Sequence, residues 1–221
     1  MTERHSQVIE EYLLTLYQTE HSEEGLKAVA LAERLKVSPP TVHSTLSRMQ
    51  RDGLIEPGAS KVWKLTRQGR SFAEDIAYRH NLAEYFLCHT LGIPWYEVHK
   101  HAHQLEHAMT PLVVQKLAEF LGRPEFCPHG TPMPGNSLPQ NAYLLVEAEV
   151  GAHVEITMIS ESLEDSEELL KVLHRDHITP GEVHQVSARE EVMSTLTLES
   201  PHGQVLLPFH IAEHITVVPV L

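Results

Sequence analysis

A chain of 221 residues with 42% apolar side chains is long enough for two or three small domains with ordinary cores. No apolar run approaches the roughly 20 residues that cross a bilayer. Met1-Thr2-Glu3-Arg4-His5 has no apolar signal core, so a cytoplasmic protein with no membrane partner is expected. Two cysteines, Cys88 and Cys127, exclude a disulfide framework and a cysteine-rich zinc site. The net charge of −13 would argue against nucleic acid if it were evenly spread.

Val8, Ile9, Tyr12, Leu13, Leu16 and Tyr17 recur with helical period and predict a first helix over about residues 6–19. Val29, Ala32 and Leu35 mark a short second helix. Ser38 is an N-cap candidate, followed by Pro39 and Pro40 at the opening of a third helix carrying Val42, Leu46 and Met49. Leu54-Ile55-Glu56 and Val62-Trp63-Lys64-Leu65 flank Pro57-Gly58-Ala59-Ser60, the pattern of a β-hairpin. That order is the order of a winged helix-turn-helix. Thr66 caps a long helix over about 67–89, Pro94 opens the next, and Thr110-Pro111 opens another that ends near Gly122. Five prolines between 124 and 139 mark an ordered loop or a linker. Six short strand-like runs follow, at 143–146, 154–157, 182–186, 195–198, 205–207 and 215–218, with a helix near 164–175 among them. Strands of that length predict a small SH3-like barrel.

The charge is uneven. Residues 26–70 hold nine Lys/Arg against three acids, whereas 71–221 hold seven against twenty-one. A small basic surface on an acidic body fits nucleic-acid contact by the first segment. In a helix-turn-helix the second helix enters the major groove through its N-terminal residues. Here these are Ser38, Pro39, Pro40, Thr41, His43 and Ser44, with Ser47, Arg48 and Arg51 nearer the backbone and Lys61 in the hairpin as a phosphate contact. No Arg or Lys lies in the first turn to clamp a guanine, so phosphate contacts and DNA shape carry much of the expected affinity.

His99-Lys100-His101-Ala102-His103-Gln104-Leu105-Glu106-His107 is the most distinctive stretch. Residues three, four and seven apart share a helix face, so His99, His103, Glu106 and His107 form one stripe. His80 and Glu84 make a second i, i+4 pair upstream. Imidazoles and carboxylates suit Mn(II), Fe(II), Co(II), Ni(II) or Zn(II) and disfavour Cu(I). His103-x-x-Glu106-His107 also has the inverted zinc-protease spacing, with a Glu general base between zinc-binding histidines. A zinc-dependent hydrolase is therefore the alternative reading, although no large catalytic domain surrounds the motif.

Several stretches together resemble the diphtheria-toxin-repressor (DtxR/MntR) family of metal-dependent transcriptional repressors. They include Glu11-Tyr12-Leu13, Ser38-Pro39-Pro40-Thr41-Val42, Met49-Gln50-Arg51-Asp52-Gly53-Leu54 and Leu65-Thr66-Arg67-Gln68-Gly69-Arg70. Arg79-His80-Asn81-Leu82-Ala83-Glu84, Glu97-Val98-His99, Glu106-His107-Ala108-Met109 and Pro128-His129-Gly130-Thr131-Pro132-Met133-Pro134-Gly135 continue the likeness. The resemblance implies a mainly α chain with a C-terminal β domain: a winged helix-turn-helix over 1–70, a helical metal-binding and dimerisation domain over 71–140, and an SH3-like (FeoA-like) domain over 141–221. It implies a homodimer on a palindromic operator, repressing genes for divalent metal uptake, and no enzymatic activity. Carried over by position, it implies a primary metal site at Glu11, His103, Glu106 and His107. The ancillary site falls on His80, Glu84 and His99, with Glu161 and Glu164 lent by the third domain. Iron-type members have Met at the position of Glu11 and Cys at that of His103, and manganese-type members have carboxylates at both. This chain has one carboxylate and one imidazole, which favours Mn(II), then Fe(II), with Zn(II) or Co(II) accepted in vitro.

Overall fold

The computed structural model describes residues 6–19, 26–59, 62–164 and 166–220. The chain divides into two compact units, Met1–Arg79 and His80–Leu221.

In the first unit, helix α1 (Gln7–Thr19) buries Ile9, Tyr12, Leu13, Leu14 and Leu16. Strand β1 (Leu26–Lys27), helix α2 (Ala28–Arg34), helix α3 (Pro39–Arg51), strand β2 (Ile55–Pro57) and strand β3 (Val62–Leu65) follow. The predicted hairpin is present, with Ile55 opposite Leu65 and Glu56 opposite Lys64. Its turn residues Ser60 and Lys61 lie outside the described residues. The sequence reading missed β1, which adds an antiparallel third strand through Leu26 and Lys27 opposite Trp63 and Val62. Two residues are too few to show a period.

Helix α3 begins as its sequence predicts. Ser38 accepts a hydrogen bond from the Thr41 amide, and the missing N–H groups of Pro39 and Pro40 cost nothing in the first turn. Val42, Leu46 and Met49 face inward onto Leu13, Leu31 and Leu54, all 0–2% exposed. Each such side chain contributes about 1.5–3 kcal/mol by leaving water, so burial of one face fixes which face of α3 is presented outward. Helix α4 (Arg67–His89) is capped by Thr66, whose Oγ1 accepts from the Gly69 amide at 3.0 Å and donates to the Gly53 carbonyl at 2.7 Å. A Cβ on Gly69 would stand 1.9 Å from the Leu54 carbonyl oxygen, so only glycine allows this approach.

The second unit begins inside α4 at His80. Helices α5 (Val98–Leu105) and α6 (Pro111–Phe120) follow. They join the end of α4 in a small core of Ala83, Leu87, Val98, Ala102 and Met109. Thr110 caps α6 by accepting from the Val113 amide. The expected helix start at Pro94 is displaced to Val98. Pro94 instead closes a turn with the Glu97 amide at 2.8 Å, and Trp95 and Tyr96 pack against the apolar core of the β-sheet. The other end of α5 also differs: the helix closes at Leu105, leaving Glu106 as its C-cap with helical dihedrals.

The proline-rich segment is ordered. Phe126 and Pro132 form an antiparallel bridge, Cys127 N–H donates to the Thr131 carbonyl, and Met133 N–H donates to that of Glu125. Cys127, His129 and Met133 are buried beneath it. Each of the six strand-like runs contains a strand, although the first keeps only Tyr143 and Leu144 because Leu145–Glu147 turn into a 3-10 helix. The strands are β4 (Tyr143–Leu144), β5 (His153–Ile159), β6 (Val183–Glu190), β7 (Thr195–Ser200), β8 (Gly203–Pro208) and β9 (Ile215–Pro219). They form one antiparallel sheet in the order β4-β9-β5-β6-β7-β8. Short helices α7 (Glu161–Glu164), α8 (Glu167–Arg175) and α9 (Phe209–Ala212) lie between strands. No helix among the described residues is long and apolar enough to cross a membrane.

Candidate metal centre

Four elements of the second unit bring ionisable side chains into one buried cluster. Helix α4 contributes His80 and Glu84, one turn apart, and α5 contributes His99 and His103, with Glu106 at its C-cap. Helix α7 contributes Glu164, and the proline-rich segment contributes His129. His80, Glu84, Glu106 and His129 are 0–1% exposed. Burying this many charges is tolerable only when each faces a partner.

The pairings are specific. His80 Nε2 lies 3.1 Å from Glu84 Oε1, and its Nδ1 lies 2.5 Å from Glu106 Oε2. His99 Nδ1 lies 3.1 Å from Glu84 Oε1 and 2.9 Å from Glu164 Oε2. His103 Nε2 and His99 Nε2 are 3.1 Å apart. His107 Nε2 stands 3.3 Å from Glu106 Oε1, and His103 Nδ1 3.7 Å from the same oxygen. Two donor sets emerge. His80, Glu84, His99 and Glu164 offer one ligand atom each within 4.8 Å of one another, and His80, His103 and Glu106 do the same. His80 belongs to both.

Proton positions follow from these neighbours. Burial opposes charge on His99, yet its hydrogen bonds to Glu164 and Glu84 raise it to about 10. Burial likewise opposes charge on His129, but the Glu164 and Glu84 carboxylates raise it to about 9. His80 is also raised against its burial, by Glu84 and Glu106. Conversely, burial disfavours the Glu106 carboxylate, but hydrogen bonds from His103 and His80 hold it at about 2. Glu161 is the exception: burial and the neighbouring Glu164 charge push it up to about 8.

The donor chemistry fits a divalent cation. The buried Glu161 Oε2 has no hydrogen-bond partner among the described residues, and protons on imidazoles supply the positive charge that the carboxylates demand. A metal ion would supply the same charge while taking up imidazole and carboxylate lone pairs. Cys127 is nearby, its Sγ 4.0 Å from His129 Nδ1. Burial raises its thiol well above the ordinary range, and its Sγ falls within 4.8 Å of ligand atoms of Glu84 and His129.

Of the sequence-predicted ligands in this unit, His80, Glu84, His99 and Glu164 come together, as do His103, Glu106 and His107, and Glu161 lies within electrostatic reach of Glu164 and His80. Glu11 is half-buried on α1 of the first unit. His101 points to solvent. The reading missed His129. Its Nε2 lies 2.9 Å from the Trp95 carbonyl and its Nδ1 3.2 Å from Glu84 Oε2, so it holds the Glu84 carboxylate in place. Its only sequence signal was the Pro128-His129-Gly130 stretch already noted. Gly130 makes this placement possible, since a Cβ there would stand 1.9 Å from the Thr157 carbonyl oxygen.

On the first unit, Ser38, Pro39, Pro40, Thr41, His43, Ser44, Ser47, Arg48 and Arg51 are all exposed along α3 and its cap. The Ser44 and Ser47 hydroxyls donate to the carbonyls of Thr41 and His43, leaving their lone pairs outward as acceptors.

Residues 5–59 match the family described as the iron-dependent repressor N-terminal DNA-binding domain, and residues 66–135 match the iron-dependent repressor metal-binding and dimerisation domain. The chain is 33% identical over 223 residues to the iron-dependent repressor IdeR of Mycobacterium leprae, spanning 94% of this chain and 95% of that protein. It is 30% identical over 224 residues to the diphtheria toxin repressor of Corynebacterium jeikeium, spanning 90% and 91%. Its fold superposes with a TM-score of 0.85 on a manganese-dependent transcriptional repressor in complex with manganese, at 29% identity over 96% of this chain and all of that one. It superposes at 0.82 on ScaR with bound zinc, at 26% identity over 96% and 99%.

Proposed function

Because this chain belongs to the iron-dependent repressor family, we propose that it represses divalent-metal uptake genes when metal occupies its buried histidine–carboxylate cluster. Family membership makes it a DNA-binding transcriptional regulator with a metal-binding and dimerisation domain, and sets aside the hydrolase reading of His103-x-x-Glu106-His107. The observation that carries the metal reading is the convergence of His80, Glu84, His99, Glu106 and Glu164 in one buried site.

In this reading the ancillary set is His80, Glu84, His99 and Glu164, supported by Glu161. The primary set is His103, Glu106 and His107 with Glu11, the assignment of Glu11 resting on sequence position alone. A ligand from the DNA-binding domain makes metal occupancy a constraint on that domain. Bound metal then selects the arrangement in which two α3 helices of a homodimer meet palindromic half-sites about 34 Å apart or a multiple of it. The exposed hydroxyls, prolines, His43 and arginines of α3 contact the operator, with Lys61 of the hairpin on phosphate.

Mn(II) is the favoured ion and Fe(II) the next, because Glu11 and His103 stand where iron-type members have Met and Cys; Zn(II) and Co(II) bind in vitro. The division into 1–70, 71–140 and 141–221 accompanies this reading, the last stretch acting as the domain that delivers Glu161 and Glu164. The test is enrichment of bound duplexes from a random DNA pool by the full chain with Mn(II), Fe(II) or chelator. Sequence-specific enrichment only with metal supports the proposal, and equal enrichment in chelator overturns it.

A further inference from the structure

A separate group of ligand-type side chains lies at the end of α8, away from the cluster's own residues in sequence and unused by it. Helix α8 closes with the Ile178 amide donating to the Leu173 carbonyl at 2.8 Å and the His177 amide to that of His174 at 3.2 Å. His177 sits in the left-handed region at φ +57°, the position usually held by glycine. Glu182 follows at the entry to β6, and His202 lies in the turn between β7 and β8. Two segments, the α8–β6 connection and the β7–β8 turn, thus converge. The His177 and His202 rings stack with centroids 3.6 Å apart and planes within 9°, and His177 Nδ1 lies 3.9 Å from Glu182 Oε1. One ligand atom from each of the three lies within 4.8 Å of the others.

We propose that His177, Glu182 and His202 form a further, surface metal site for a divalent ion of the Zn(II) class. Ligand atoms about 2.0–2.2 Å from zinc stand about 3.3–3.6 Å apart in a tetrahedron, so the stacked imidazoles must turn out of their parallel planes for both in-plane lone pairs to meet one ion. The side chains have that freedom: His177 and Glu182 are 41% and 36% exposed, and His202 is exposed in a turn. The backbone beneath them does not. His184, buried on β6, donates from Nε2 to the His177 carbonyl at 2.9 Å, which pins that residue and fixes the His184 tautomer. Two imidazoles and one carboxylate follow the general affinity order, in which Zn(II), Ni(II) and Co(II) exceed Mn(II). Water fills the remaining positions. Bound metal would tie the β7–β8 turn to the end of α8.

The test compares the full wild-type chain with His202→Ala and His177→Gly. The first removes a turn side chain, and the second keeps a residue suited to the left-handed helix end. Equilibrium dialysis against micromolar free Zn(II) should show each variant binding one ion fewer than wild type, with affinity for that ion reduced at least about tenfold. Mn(II) titrations of the buried cluster should be the same in all three proteins. Imidazole proton resonances of His177 and His202 should respond to Zn(II) in wild type. Equal Zn(II) stoichiometry in wild type and His202→Ala overturns the proposal. So does loss of Zn(II) only together with loss of the Mn(II) response, which would mark damage to the unit rather than removal of a site.

Discussion

His80 presents Nδ1 to Glu106 at 2.5 Å while its Nε2 faces Glu84 at 3.1 Å, so one imidazole links the two donor sets. Removing it takes a ligand from the proposed ancillary set and the hydrogen-bond donor from a carboxylate of the proposed primary set. His80→Ala should therefore weaken Mn(II) binding at both, about 10–100-fold at the set where it acts only through Glu106. Calorimetric titration checks this. Loss of one binding event with the other unaltered would show the sets to be independent.

His129 acts through Glu84. It donates from Nδ1 to the Glu84 carboxylate and from Nε2 to the Trp95 carbonyl. His129→Ala leaves a buried carboxylate short of a partner, and should lower metal affinity about 10–100-fold and apo stability by about 3 kcal/mol. His129→Gln, which keeps an N–H donor, should recover part of both. Denaturant unfolding and Mn(II) titration of the two variants provide the measurement.

Protons and metal compete. His99 and His129, raised to about 10 and about 9 from 6.5, contribute stability to the metal-free fold in full below 6.5, and that contribution is lost as pH rises through 9 to 10. Glu106, lowered to about 2 from 4.5, contributes above 4.5 and ceases to as pH falls toward 2. Metal binding requires His99 to give up its proton, so affinity should rise by about tenfold per pH unit for each proton released between pH 6.5 and 8.5. Titrations in buffers of differing ionisation enthalpy count those protons. A pH-independent affinity would contradict this proton accounting.

Gly130→Ala meets two obstacles, a φ of +87° and a backbone oxygen 1.9 Å from the new Cβ. Destabilisation of about 3 kcal/mol or more is expected, with loss of metal affinity because the neighbouring His129 shifts. Gly135→Ala, at φ +96° with open space around the added carbon, isolates the backbone strain and should cost about 1–2 kcal/mol.

The sequence was most legible where one short stretch carried its own physical reason. Ser38-Pro39-Pro40, Thr66 and Thr110-Pro111 each place a capping oxygen before residues suited to a first helical turn, and each begins a helix where expected. His80 with Glu84 and His99 with His103 needed only the pitch of a helix. Pro94 misled because Trp95 and Tyr96 gain more by packing on the sheet than by continuing as helix. His129 lies in irregular backbone, where no period relates it to Glu84 forty-five residues earlier. The bond between His80 and Glu106 spans two elements and depends on how α4 and α5 pack. No spacing rule along one helix contains it.

Metal-gated recognition of DNA is the central proposal. The direct measurement is fluorescence anisotropy of the full chain on the duplex enriched in the presence of Mn(II), titrated with Mn(II) and again with chelator, for wild type and Glu11→Ala. Wild type should bind about 5–150-fold more tightly with Mn(II) than with chelator, and Glu11→Ala should bind with its chelator-level affinity under both conditions while remaining folded and dimeric. Equal wild-type affinity with Mn(II) and with chelator would contradict the account.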